Sequence, residues 1–120
     1  MNRELIEAFA AGGEVLRRAV EGLSRDDLLA RPGPGDWSIQ ELVIHVVDSD
    51  AIAIDRMKRI LTEDNPPLLY ADETAYNDRL FPEEQSVEDA VTLFDVVLRD
   101  VDPADEDVPG LLFAGAKEEP

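Results

Sequence analysis

Residues 38–61 read SIQELVIHVVDSDAIAIDRMKRIL, and this stretch decides the fold. Ser38-Ile39-Gln40-Glu41 has the form of a capping box, in which the serine oxygen takes the amide hydrogen three residues on and the glutamate reaches back to the serine amide. From that start Ile39, Leu42, Val43, Val46, Ala53, Ile54, Met57, Ile60 and Leu61 recur at helical steps and lay one apolar stripe along about six turns. Asn65-Pro66-Pro67 forbids continuation, because proline lacks the amide hydrogen and restricts the residue before it. Ile44, Val47 and Ile52 fall outside the stripe. A helix that is apolar beyond one face is either central in a bundle or in contact with another subunit.

Upstream, Ile6, Phe9, Gly13, Leu16, Val20 and Leu23 alternate steps of three and four, which predicts a first helix of about five turns. Ala11-Gly12-Gly13 lies in its middle, where two glycines cost about 1 kcal/mol each relative to alanine, so a kink or a close helix contact is expected there. Ser24 followed by Asp26 and Asp27 predicts a new cap and a short helical turn, ended by Arg31-Pro32-Gly33-Pro34-Gly35. Downstream, residues 65–85 read as a connection, with one or two helical turns at Asp72-Glu73-Thr74-Ala75-Tyr76 packed through Leu69, Tyr70, Tyr76, Leu80 and Phe81. Ser86 caps a third long helix, whose Val87, Ala90, Val91, Phe94, Val97, Leu98 and Val101 match the helical template, and which ends near Pro103. The expected architecture is all-α: one helical bundle domain over residues 1–101, then an acidic tail over 102–120, docked or frayed, with an apolar patch at Leu111-Leu112-Phe113.

Charge narrows the partners. Eleven basic against 28 acidic side chains give −17, a field that repels phosphate backbones and anionic lipid, so neither nucleic acid nor a membrane surface is an expected partner. Residues 1–61 carry 8 basic and 11 acidic groups and residues 62–120 carry 3 and 17, so −14 of the −17 falls in the second half. The simplest account of that half is a solvated surface. The absence of cysteine removes disulfides, thiolate zinc sites and cysteine nucleophiles together. No signal-type apolar segment opens the sequence, and the expected location is cytoplasmic.

The single histidine, His45, sits on the central helix with Glu41 four residues before it, Asp48 three after and Ser49 four after, so these side chains share a strip of helix surface. An imidazole there can offer one nitrogen to a divalent metal while a carboxylate fixes its tautomer through the other. A lone helical histidine is more often a half-exposed core residue hydrogen-bonded to a neighbour. Asp48, Asp50 and Asp72 are the nearby oxygen donors; His45 and Asp48 are the candidate metal ligands. Trp37 reads as a plug at the bundle end, stapled to Leu42 or Val43. Gly33-Pro34-Gly35 lacks both the lysine of a phosphate loop and dinucleotide spacing, and is a turn. Ser24, Ser38 and Ser86 occupy capping positions, which argues against a nucleophilic serine. Tyr70 and Tyr76 either line a pocket or pack the connection.

Leu23-Ser24 through Leu28, Arg31-Pro32, Gly35-Asp36-Trp37-Ser38-Ile39 and His45-Val46-Val47-Asp48-Ser49-Asp50 form an ordered set that resembles the DinB-like, or YfiT-like, family of small bundle metalloproteins. The resemblance is strongest over residues 14–60. It implies a four-helix bundle holding a divalent metal, often zinc or nickel, on three histidines, one of which corresponds to His45 and two of which form an H-x-x-x-H pair on the final helix. Related proteins include thiol-dependent transferases and a maleylpyruvate isomerase. This sequence departs from the pattern in that no histidine follows Arg99, so two of the three implied ligands are missing. A catalytic zinc site keeps three protein ligands and an open position, and one imidazole with nearby carboxylates makes only a weak site. The expectation is a shortened family member that no longer catalyses and acts as a dimerising or binding module. The alternatives are a metal-dependent enzyme using His45, and a piece of a longer gene product. The greasy central helix points to a homodimer whose second copy supplies the missing wall; the sequence does not specify a small-molecule substrate.

Overall fold

The computed structural model describes residues 3–99. The expected acidic tail at 102–120, its apolar patch and the end of the last helix near Pro103 lie outside those residues.

Six α-helices run in chain order: α1 (Arg3–Ala10), α2 (Gly12–Val20), α3 (Arg25–Leu29), α4 (Ile39–Thr62), α5 (Glu73–Arg79) and α6 (Val87–Arg99), with a 3-10 turn at Pro82–Glu84 before α6. The predicted first helix is thus two, α1 and α2, joined at Ala11, which keeps helical angles (φ −80°, ψ −4°). The reason for the expected close contact is visible at the glycines. A Cβ on Gly13 would lie 2.5 Å from the Cα of Asp95, and one on Gly12 would lie 2.9 Å from Cδ1 of Leu98, so α2 and α6 approach at a distance only glycine allows.

The predicted caps form. Ser24 and Asp27 make a capping box at α3, and Ser38 and Glu41 make one at α4. Ser86 Oγ accepts from the Asp89 amide at 3.1 Å to start α6, and Asp72, which the sequence reading did not assign as a cap, starts α5 with its Oδ1 accepting from the Ala75 amide at 3.0 Å. Phe81 stands in the left-handed region (φ 52°) just before Pro82, whose ring disfavours the α region for its predecessor.

Helix α6 packs along both α4 and α2, while α1 lies against α6 and α3 covers one end of α4. The core consists of Ile6 from α1, Val43, Ile44, Val47 and Ile54 from α4, and Val91, Phe94 and Leu98 from α6. Half-buried Phe9 bridges its two clusters, one around Ile6 and Ile54, the other around Val47, Phe94 and Leu98. This corrects the predicted stripe on the central helix. Ile44 and Val47, placed outside it by periodicity, are buried, whereas Ile39, Leu42, Val46 and Ile60 are exposed at 38%, 49%, 38% and 57%. The core face of α4 is rotated toward Ile44 because α6 seats there, and the other edge of the apolar surface is left uncovered by the described residues. The resulting bundle is the helical class expected, with three long columns, α1–α2, α4 and α6, among the described residues.

At the start of α4, Gln40 is fully buried and its Nε2 donates to the carbonyls of Pro82 at 2.7 Å and Gln85 at 2.9 Å. That amide ties the 3-10 turn to the helix.

Candidate functional site

His45 lies on the second turn of α4, its side chain about one-third exposed. Its Nε2 is 3.2 Å from Oε2 of Glu73, which the Asp72 cap places on the first turn of α5. Trp37, just ahead of the α4 cap, meets the imidazole edge-on, with ring centroids 5.5 Å apart and planes at 80°. The tryptophan, predicted to staple the helix start, walls the histidine. A small cavity of about 20 Å³ sits against His45, Asp48, Glu73 and Tyr76. A larger pocket of about 220 Å³ shares these four residues and extends along α4 to Arg56 and across to Tyr70.

The acidic neighbours of His45 have separate tasks. Glu41 is buried and its carboxylate is fully engaged: Arg31 Nη2 lies 2.7 Å from Oε1, the Ser38 amide and hydroxyl donate to the same oxygen at 3.2 and 3.1 Å, and Asn77 Nδ2 donates to Oε2. Burial pushes this carboxyl up, but the donors from Asn77 and Ser38 and the charge of Arg31 outweigh it and hold Glu41 below the ordinary glutamate value. It joins α3's exit, α4 and α5. Asp48 lines the pocket with His45, and burial raises its carboxyl while the neighbouring histidine partly offsets that rise. Asp50 lies about 140° around the helix from His45, on a different face. Asp72 is occupied in capping α5.

Of the sequence-predicted donors, then, the fold gathers His45 and Asp48 in one pocket and places Asp50 and Asp72 elsewhere. Sequence reasoning missed Glu73, Arg31, Asn77 and Arg56. Glu73 had one legible signal, its place in the first turn after an aspartate cap, but the direction in which that turn points is a tertiary fact.

The donor chemistry does not fit a three-ligand metal cage. Among the described residues, no three of histidine, cysteine, aspartate and glutamate come together as one. His45 and Asp48 project from α4 and Glu73 from α5, with Glu73 Oε2 only 3.2 Å from His45 Nε2, so the two are set against each other and an ion would have to part them.

Comparisons with known proteins bear on the scaffold. The chain is similar in fold to the solved structure of YfiT from Bacillus subtilis, with a TM-score of 0.74 at 22% identity, covering 82% of this chain and 58% of that one. That protein is described as "a probable metal-dependent hydrolase with an unusual four-helix bundle topology". At this identity the likeness is one of fold, and this chain spans less than two thirds of the other's length. No curated protein matches the chain. The sequence profile of the DinB superfamily matches residues 8–107. That match takes in the end of α1 and all of α2, α4 and α6, the capped start of α4 and the histidine pocket, and the chain belongs to the DinB superfamily.

Proposed function

We propose that this chain is an association domain on the DinB scaffold, pairing with a second copy of itself through α4. The observation that carries this reading is the uncovered apolar line on that helix. Ile39, Val46, Ala53 and Ile60 recur every seven residues, with Leu42 beside them, which is the spacing of a helix-pairing seam. Ile39, Leu42, Val46 and Ile60 are all exposed.

Electrostatics favours a copy of the same helix as the occupant. Over Ile39–Thr62 the acidic groups are Glu41, Asp48, Asp50 and Asp55 and the basic ones Arg56, Lys58 and Arg59, so 3 − 4 leaves −1 on the helix of a chain carrying −17. The charges on α4 are also polarised, acids in the first two-thirds and bases near the end, so an antiparallel twofold pair sets the acidic half of one helix on the basic half of the other. Light scattering on a sizing column tests this. The expected mass is twice 13.3 kDa, reverting to one chain in Val46→Glu with helicity retained. A wild-type mass of one chain at micromolar concentration refutes the reading.

A second reading, a metal-dependent hydrolase using His45 and Asp48 as ligands to zinc or nickel, draws support from the fold it shares with YfiT. The donor set argues against it. Elemental analysis separates the two: stoichiometric metal that is lost in His45→Ala establishes the enzyme reading, and substoichiometric metal unchanged by that substitution removes it.

A further inference from the structure

Most of the described arginines face a carboxylate: Arg3, Arg17, Arg18, Arg31, Arg59 and Arg99 each form an ion pair. Arg56 does not. Its Nη2 donates to the Leu69 carbonyl, its Nε is buried with no acceptor among the described residues, and the guanidinium lines the 220 Å³ pocket. A desolvated donor left unpaired is costly, and a protein with 28 acidic side chains had ample means to pair it.

Eight residues earlier on the same face of α4, Asp48 lines the other end of that pocket. No group among the described residues donates a hydrogen bond to its carboxylate. The nearby Glu73 carboxylate is engaged by His45. Between the two ends, Ile52 sits on the helix one step from each, and Tyr70 and Tyr76 also line the pocket. The helix rise puts the Asp48 and Arg56 backbones about 12 Å apart, which favours an extended ligand over a compact one.

We propose that this pocket binds a small ω-amino carboxylate, its carboxylate on the Arg56 guanidinium, its ammonium on Asp48, and its methylene chain along Ile52, Tyr70 and Tyr76. A ligand of one charge satisfies only one end. A plain carboxylate brings its apolar tail to a half-buried acid, and a plain amine leaves the arginine unpaired. The volume is below the usual range for drug-sized ligands and suits a molecule of this size. The pocket adjoins the apolar seam, since Arg56 stands four residues before Ile60 on the helix surface, and the inference does not rest on the proposed pairing.

Calorimetric titration of the full chain with 6-aminohexanoate, hexanoate and hexylamine tests it. Saturable binding of 6-aminohexanoate is expected, at least about tenfold tighter than either single-charge analogue, a difference of about 1.4 kcal/mol. Arg56→Gln and Asp48→Asn should each weaken it by about tenfold or more, while Arg59→Gln, at an exposed position paired with Asp55, should leave it unchanged. If circular dichroism shows Arg56→Gln unfolded, Arg56→Lys is read in its place, with severalfold weakening expected from loss of the planar fork. No saturable binding to the wild type, equal affinity for hexanoate, or full affinity in a folded Arg56 variant overturns the proposal.

Discussion

Gly13 and Asp95 meet backbone to side chain: no Cβ fits on the glycine, because it would stand 2.5 Å from both the Cα and Oδ1 of the aspartate. The backbone at Asp95 cannot swing aside as a flexible side-chain end can. Gly13→Ala should therefore push α2 off α6 and destabilise by about 1–3 kcal/mol, the usual range for overpacking. Gly12→Ala should cost less, since its clash is with the terminal methyl of Leu98. Urea unfolding of the two variants measures the difference.

The core also predicts a contrast along α6. Leu98 is 1% exposed and packed with Val47 and Phe94, so Leu98→Ala should destabilise by about 2–5 kcal/mol through lost burial and a cavity. Leu93, on the same helix but 55% exposed, should change stability by no more than about 0.5 kcal/mol when cut to alanine. Thermal melts followed by circular dichroism check both.

Glu41 links pH to the junction of α3, α4 and α5. Its folded carboxyl lies below its ordinary value of 4.5, so the stability it contributes is present above that value and is lost as pH falls through the lower, folded one. Glu41→Gln should cost about 1–3 kcal/mol at pH 7 by removing a hydrogen-bonded charge from beside Arg31. Its stability should also fall less steeply than the wild type's during acid titration. Denaturant midpoints at a series of acidic pH values supply the comparison.

Asp50 gives the opposite sign. Burial alone raises its carboxyl, so the folded state favours the protonated form, and stability is lost as pH rises through the raised value. Asp50→Asn should therefore melt slightly higher than the wild type at pH 7 and at the same temperature near pH 3. Equal melting temperatures at both pH values would show that burial at this position carries no linkage.

The helical class and nearly every helix start were legible because caps are local: Ser24, Ser38 and Ser86 each bond an amide three residues on, a spacing that sequence displays directly. The facing of α4 was not. With apolar residues around more than half its circumference, periodicity alone could not choose between the Leu42 edge and the Ile44 edge, and the choice was made by where α6 docks. The site was half legible for the same reason. His45 and Asp48 share a helix, so their proximity follows from spacing, whereas Glu73 and Arg56 enter the pocket through the path of a connection whose course no local rule fixes. The Arg31–Glu41 pair spans two elements separated by a Pro-Gly turn and was equally out of reach.

Gln40 finds its two acceptors 42 and 45 residues further along the chain. Closing so long a loop carries an entropic cost that the first turn of α4 cannot meet alone, so its buried amide has partners only once the returning segment has docked. The beginning of the longest helix and the tight turn before α6 should accordingly open and close as one cooperative unit, and amide exchange at Gln40 and Gln85 should proceed with a common opening free energy.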